Sequence, residues 1–469
     1  MKTSSYILCL DCGATNVRAM LVNESGAIAA KASQANATDA GAEHAQYHVW
    51  NVERIFRQLA ECTRQALQQV EGAAQRVRGI TITTFGVDGA LVDAQGELLY
   101  PVISWKCPRT AEVMKNIEKY LPQRKLNAIS GVGEFAFNTL YKLIWLRENR
   151  PELLEQAHAW LFISNILAHR LTGVMATDRT MAGTSQMTDL TTGSWSAEIL
   201  NAIGVEEKIF PPMVNAGEVI GKLTDTAAAQ LGLPAGVPVI SAGHDTQFAL
   251  FGSGVKENQP FLSSGTWEIL MLRTAHAKLD DTDYAAGATV EYDSREGLLN
   301  PGLQWIASGI IEWVKATCYK GESYDVMDAE AAAIPPGCEG VTLTPDFLPS
   351  DPVPGAIHGL ILGRTRGHIY RAAMEALTLR LKQRLEKLEK VGGFKATELL
   401  LVGGGARNKI WTQMRADTLG IPIWVCKVSE STVLGAAMYA CVGAGLYPTP
   451  EAARDAFGID YDIILPSAT

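Results

Sequence analysis

Ile7-Leu8-Cys9-Leu10-Asp11-Cys12-Gly13-Ala14-Thr15-Asn16-Val17-Arg18-Ala19-Met20 reads as an apolar strand, a turn of small residues and a second apolar strand. The pattern recurs far along the chain as Phe261-Leu262-Ser263-Ser264-Gly265-Thr266-Trp267-Glu268-Ile269-Leu270-Met271-Leu272. Both turns set a hydroxyl beside a glycine. The repetition predicts a duplicated α/β layout whose halves meet near residue 243, giving domains 1–243 and 244–469.

Working outward, residues 6–34 read as an antiparallel meander and 51–70 as a helix, from Val52, Ile55, Phe56 and Leu59 onward. Strands are predicted at 79–84 and 89–93, and helices at 108–119, 138–149 and 162–172. A loop over 231–241 feeds a strand. In the second half the spacing predicts helices over 303–318 and 367–390, then a strand over 398–402 that runs into Gly403-Gly404-Gly405. Helix 407–419, strand 421–425 and helix 432–447 complete the pattern.

The chain of 469 residues is long enough for two or three domains. It is 47% hydrophobic and 19% charged with a net charge of −9, and no run of Lys or Arg offers a footprint for nucleic acid. No apolar stretch approaches the ~20 residues of a membrane span, and the run Tyr6–Leu10 is too short for a secretion signal. The cysteines, at 9, 12, 62, 107, 318, 338, 426 and 441, are scattered. Cys9 and Cys12 lie in a strand and its turn with no second pair to complete a zinc site. All are read as reduced, mostly buried thiols of a cytoplasmic protein.

Several residues are candidates for chemistry. Val237-Pro238-Val239-Ile240-Ser241-Ala242-Gly243 delivers His244, Asp245 and Thr246 to the start of a helix. Asp245 there is either a cap or a base. The turn Gly13-Ala14-Thr15-Asn16 can donate to phosphate oxygens, with Asp11 holding magnesium through water; the competing reading is a hairpin that needs positive φ at Gly13. Gly265-Thr266 offers a second such turn, and Gly403-Gly404-Gly405 a close approach to a ligand between strand and helix. Asp88 is a turn former or a ligand contact. Trp145, Trp305 and Trp313 read as core or pocket wall. No GxxxxGK[ST] motif occurs, which excludes a P-loop.

Two longer segments carry a resemblance: Phe137-Asn138-Thr139-Leu140-Tyr141-Lys142-Leu143-Ile144-Trp145-Leu146-Arg147-Glu148-Asn149, and the stretch from Gly355-Ala356-Ile357-His358-Gly359-Leu360 to His368-Ile369-Tyr370-Arg371-Ala372-Ala373-Met374-Glu375. With these, nearly the whole chain resembles the FGGY carbohydrate kinases. That implies two ribonuclease H-like (actin-like ATPase) domains with a cleft between them, the N-terminal one for sugar and the C-terminal one for nucleotide. Residues 83–93, 104–110, 180–187, 241–252 and 263–271 resemble the branch acting on L-fuculose, with the rhamnulose branch next. The resemblance implies ATP and Mg²⁺ or another divalent cation as cofactors, and phosphorylation of the ketose at C1. Kinases for L-rhamnulose, L-xylulose or D-ribulose, and an actin- or chaperone-like ATPase module, are the alternatives. A homodimer is left open.

The resemblance also assigns roles. Asp245 is implied as the base and Asp11 as the magnesium organiser. Gly13, Ala14, Thr15, Asn16, Gly265 and Thr266 are implied at the phosphates, and Gly403, Gly404, Gly405 and Asn408 beside the adenosine. Gly86, Asp88, His244, Thr246, Asn300 and Gln304 are implied at the sugar. One departure stands out. Many relatives carry Trp-x-Asp-x-Arg where this chain has Trp105-Lys106-Cys107-Pro108-Arg109.

Overall fold

The computed structural model describes residues 4–348 and 353–467. The chain forms two compact units. The first takes the chain up to Gly254, together with Thr289–Leu299 and Glu430–Ile459; the second takes Val255–Ala288, Asn300–Ser429 and the chain from Asp460 onward. This differs from a single cut at 243. Helix Asp245–Gly252 stays with the first unit because Phe248 and Phe251 pack against Tyr439 of helix Ser431–Gly443, with ring centroids 5.6 and 4.9 Å apart.

The sheet of the first unit contains β1 (Tyr6–Cys12), β2 (Asn16–Asn23), β3 (Ile28–Ala35), β4 (Val77–Thr84), β5 (Val219–Lys222) and β6 (Pro238–Ile240). Their order is β5-β6-β4-β1-β2-β3. The pairs β6–β4 and β4–β1 are parallel, and the others antiparallel. In the second unit, β7 (Phe261–Ser264), β8 (Trp267–Met271), β9 (Leu299–Ile306), β10 (Leu399–Val402), β11 (Ile423–Cys426) and β12 (Tyr461–Ile464) run in the order β9-β8-β7-β10-β11-β12 within a seven-stranded sheet, whose remaining strand, Thr289–Tyr292, is the edge next to β9. Here β7–β10 and β10–β11 are parallel and the remaining pairs antiparallel. Read from opposite ends, these two sets of six strands repeat one scheme. The duplication expected from the two strand–turn–strand segments is therefore a duplication of topology.

Burial explains the elements. Strand β1 is buried along its whole length, as a central strand covered on both faces must be. Helix Val52–Gln68 is capped by Asn51, whose side chain accepts from Arg54 N–H at 2.9 Å, and buries Ile55, Leu59, Cys62 and Ala66 on one stripe. Three expectations differ from the structure. Residues 303–306 are the end of β9, not helix; Leu303 and Trp305 are buried at the two-residue period of a strand, and the helix begins at Ser308. The stretch 108–119 breaks into a 3₁₀ turn at Pro108–Thr110, a short helix at Ala111–Lys115 and a second 3₁₀ turn. Trp313 is exposed rather than core. None of the eight cysteines, all among the described residues, forms a disulfide; Cys318 and Cys426 are half-buried and the rest buried. Among the described residues no helix is long and apolar enough to cross a membrane.

Candidate active site

The parallel strands of the first sheet end together. Asp11 near the end of β1 lies in register with Thr83 near the end of β4, and Thr84 bridges His244, just past β6. Ligands of α/β sheets bind at such carboxyl ends. The loops that follow carry Gly86 and Asp88 after β4, and His244 and Asp245 after β6.

Asp245 is not a cap. Helix Asp245–Gly252 has His244 at the N-cap position with no side-chain cap bond, and Asp245 occupies the first helical turn. Its carboxylate receives Thr246 Oγ1 at 3.2 Å and keeps about a third of its side-chain surface, 33%, open. Burial raises its pKa; the positive His244 opposes this, and the charge of Asp11 adds to it. His244 lies between two carboxylates, with Nε2 3.5 Å from Asp245 Oδ1 and Nδ1 3.4 Å from Glu291 Oε2. Burial works against its charge, but Glu291 and Asp245 lift its pKa above the ordinary value. A Cβ on Gly86 would stand 2.9 Å from the His244 ring, so the glycine is what lets this loop lie against the imidazole.

Asp11 is buried. Its Oδ1 accepts from Thr83 Oγ1 at 3.1 Å, and its Oδ2 accepts from Arg18 Nε at 2.7 Å. Arg18 Nη1 also reaches Glu430 Oε2 at 2.7 Å. No group of three or more His, Cys, Asp or Glu able to cage a metal occurs among the described residues. One carboxylate with a free lone pair suits a hydrated magnesium ion, which binds through water and substrate phosphates rather than in a protein cage.

Asp88, expected at the sugar, is fully buried and engaged internally. Lys142 Nζ donates to Oδ1, while Trp50 Nε1 and Trp105 N–H donate to Oδ2 at 2.6 and 3.0 Å. Burial drives both members of the pair toward neutrality, raising Asp88 and lowering Lys142, and their mutual attraction opposes it. Beside them Val87 has φ 62°, a costly conformation for a β-branched residue. It is held by Lys142 Nζ and Thr139 Oγ1, which donate to its carbonyl at 2.9 and 2.8 Å, and by Thr184 Oγ1, which accepts from its N–H at 3.1 Å.

Asp178 supports the base loop from below. Its carboxylate accepts from Thr180 N–H at 2.8 Å, from the Thr180 hydroxyl and from Ser241 Oγ at 2.7 Å, and Thr180 Oγ1 accepts from His244 N–H at 2.9 Å. Burial pushes its pKa up to about 6, with these hydrogen bonds pulling the other way. The fold thus holds this proton more tightly than the unfolded chain, whose Asp titrates near 3.9. The contribution is full below about pH 4 and is lost as pH rises through 6, a difference of about 2–3 kcal/mol. Asp178→Asn is expected to gain stability over wild type by about that much between pH 4 and pH 8, read from denaturation midpoints. A difference that does not change with pH contradicts this.

The remaining candidates divide between the units. In the β1–β2 turn Gly13 N–H donates to Asn16 O at 2.9 Å, and Thr15 and Asn16 are exposed at the tip. Gly13 does not have positive φ; a Cβ there would meet Asn16 O at 3.0 Å, so close approach explains the glycine. In the second unit Gly265 N–H donates to Trp267 O at 3.0 Å and Thr266 is exposed. Beneath this turn Ser264 Oγ donates to Glu268 Oε1 at 2.9 Å and accepts from Arg415 Nη2 at 3.0 Å, and Arg415 also pairs with Glu268 in full burial. Gly403 has φ 94°, and a Cβ on it would press on Ser264 O at 2.5 Å. The glycine run therefore lies directly against the phosphate-type turn. Asn408 caps helix Lys409–Leu419, accepting from Trp411 N–H at 2.9 Å, and donates to Asp328 and to Tyr370 Oη. Asn300 is buried and donates to Leu272 O at 3.0 Å, while Gln304 is exposed on β9. At the position where the resemblance implies an acid, Cys107 Sγ accepts from Arg109 Nε at 3.1 Å, and the Arg109 guanidinium lies over the rings of Tyr47 and Trp145 at 4.0 and 4.8 Å.

Lys142, Asp178, Glu291, Arg18, Glu268 and Arg415 escape a reading of motifs. The one available signal is Lys142, a lysine inside a helix whose residues Thr139–Leu146 are all buried.

Residues 6–252 match the FGGY family of carbohydrate kinases, N-terminal domain, and residues 261–444 match its C-terminal domain. The chain is 53% identical over 461 residues to L-fuculokinase of Escherichia coli K12, spanning 98% of this chain and 97% of that protein. It is 45% identical over 458 residues to L-fuculokinase of Haemophilus influenzae, spanning 96% and 97%. Xylulose kinase from Rhodospirillum rubrum superposes with a TM-score of 0.89 at 23% identity, over 98% of this chain and 94% of that one. Plasmodium falciparum glycerol kinase with ADP gives 0.86 at 17%, over 99% and 94%. These last two likenesses speak to the fold. With its two repeated sheets, the chain belongs to the FGGY family of carbohydrate kinases and has that family's two-domain, actin-like fold.

Proposed function

We propose that this chain transfers the terminal phosphoryl group of ATP to the C1 hydroxyl of L-fuculose, giving L-fuculose 1-phosphate for L-fucose breakdown. The observation that carries the substrate is the 53% identity with an L-fuculokinase over 98% of the chain. The chemistry rests on Asp245, a partly open carboxylate of raised pKa at the end of a parallel strand. The first unit supplies the sugar side, the base and one phosphate turn, and the second supplies Gly265-Thr266 and the Gly403–Gly405 run for the nucleotide.

Phosphoryl transfer passes through a loose transition state, so positioning and charge stabilisation do most of the work. Asp245 accepts the hydrogen bond of the C1 hydroxyl and takes its proton as the O1–P bond forms. The bond from the γ-phosphorus to the bridging oxygen breaks, and ADP leaves with that electron pair. Thr15, Asn16 and Thr266 offer donors to the phosphates. Asp11 would hold a magnesium ion through water, and that ion would supply neutralisation of phosphate charge. Asp88 and Lys142 act behind this surface, fixing the loop that carries Gly86 and the separate segment that carries Trp105.

Coupled ADP release with Mg-ATP across L-fuculose, L-rhamnulose, L-xylulose and D-ribulose, with a blank lacking sugar, tests the reading. L-fuculose is expected to exceed each of the others in kcat/KM by at least about tenfold, the scale one hydroxyl contact provides, with a blank near zero. Another ketose in the lead overturns the substrate; a blank equal to all of them overturns the kinase.

A further inference from the structure

After Ala288 the chain leaves the second unit, and Thr289–Leu299 return to the first. The returning segment is tied down there. Val290 N–H donates to Gly131 O at 2.8 Å, Thr289 Oγ1 accepts from Gly133 N–H at 3.0 Å, and Tyr292 Oη donates to Asp189 O at 3.0 Å. The Arg179 guanidinium lies over the Tyr292 ring at 4.5 Å. Between these anchors stands Glu291. Gln247 Nε2 donates to its Oε2 at 2.7 Å, and His244 Nδ1 is 3.4 Å from the same oxygen. On its other side the imidazole presents Nε2 to Asp245 Oδ1 at 3.5 Å. The order is carboxylate, imidazole, carboxylate.

We infer that Glu291 is a positioning residue for phosphoryl transfer: its charge, at an ion-pair rather than a hydrogen-bond distance from His244 Nδ1, orients the ring so that Nε2 faces the Asp245 carboxylate. The inference rests on Asp245 being the base. A carboxylate at Nδ1 keeps a proton on that nitrogen, so a second proton on Nε2 makes the ring a cation beside Asp245. That positive charge favours the ionised base. Against it stands Asp11 from β1, itself matched by Arg18, which also holds Glu430. Cys12 lies close to Asp11, Asp245 and Asp88, with its thiol driven well up by burial and by their charges, and so adds none of its own. Asp178, through Thr180 and Ser241, holds the loop. His244 is then the one cationic group beside Asp245 in these contacts, and Glu291 keeps it oriented and charged.

Glu291→Gln tests this in the full chain. The amide keeps the size of the side chain and can keep its oxygen toward both Gln247 Nε2 and His244 Nδ1, but removes the negative charge. With ATP and L-fuculose, kcat at neutral pH is expected to fall by about 10–100-fold, the scale of a small misplacement of a reacting group, with KM for ATP unchanged. The acid limb of kcat against pH is expected to move upward, because Asp245 loses its cation. The NMR titration of the His244 imidazole, assigned with His244→Gln, is expected to move to lower pH. Glu291→Asp, which restores the charge a methylene short, is expected to return part of both shifts. Wild-type kcat in Glu291→Gln, or a uniform loss with neither the acid limb nor the His244 titration moved, overturns the inference. If the wild type releases no ADP with any sugar, the functional reading falls, and the NMR comparison alone still decides whether Glu291 governs His244.

Discussion

Asp245→Asn is expected to lower kcat with L-fuculose by about 10²–10⁴-fold, the range for a positioned general base, while KM for ATP stays near the wild-type value. Asparagine has nearly the same shape and can still align the hydroxyl, but it cannot take the proton as the O1–P bond forms. The same substitution should not weaken the fold. Burial and the neighbouring Asp11 raise the Asp245 pKa, so its folded-state value lies above its unfolded one. The sign follows: the contribution is full at low pH and is lost as pH rises through the folded pKa, so at neutral pH the ionised carboxylate destabilises the native state. Removing its charge is therefore expected to leave the melting temperature equal to or above wild type. Steady-state kinetics beside a thermal melt separates this from unfolding. Near-normal turnover removes Asp245 from the base role; a large kcat loss with a lower melting temperature removes the electrostatic account.

Function trades against stability at this position, and the tension was partly visible in the sequence. The run Val237–Ile240 announces a buried strand, and Ser-Ala-Gly announces a tight turn into a helix. What the pattern could not say is that His244, not Asp245, takes the cap position. Both readings place an acid at a helix start, and only backbone angles separate them. The duplicated layout was legible because each strand–turn–strand segment carries its own apolar alternation. The helix predicted over 303–318 failed locally because Leu303 and Trp305, two residues apart, follow the strand period, which was lost against the helical spacing of the residues after them, and β9 needed β8 beside it to decide.

The supporting charges were illegible for a different reason. Glu291 reaches the base loop only because the chain returns to the first unit at Thr289. Asp178 and Ser241 are far apart in sequence yet share a hydrogen bond of 2.7 Å. No local periodicity encodes either meeting. Asp88 was legible as a turn residue, but its partners Trp50, Trp105 and Lys142 come from three other segments, and they turn it inward where the family resemblance had it at the sugar.

That inward network sets the second large effect. Lys142→Met is expected to destabilise the first unit by about 3–5 kcal/mol, the range for removing one partner of a buried ion pair. Methionine fills most of the volume, so the loss is electrostatic rather than a cavity. Asp88 keeps Trp50 Nε1 and Trp105 N–H as donors but loses the countercharge of Lys142, and the Val87 carbonyl keeps Thr139 Oγ1 but loses Lys142 Nζ. Since Val87 sits at φ 62°, the loop carrying Gly86 is then free to relax away from the His244 ring. Adding Asp88→Asn to Lys142→Met removes the orphaned charge while an amide oxygen still meets a tryptophan donor. The double variant is expected to recover at least about 2 kcal/mol of the single variant's loss, because a neutral buried pair avoids the desolvation of an unpaired ion. Denaturant midpoints at pH 7 and pH 5 add a check of sign. In Lys142→Met the folded Asp88 prefers to be protonated, so that variant alone should become markedly more stable toward pH 5. A single variant within about 1 kcal/mol of wild type, the ordinary scale of a surface change, would show that Asp88 and Lys142 are already neutral in the fold. A double variant no better than the single one would place the loss in packing around Val87 instead.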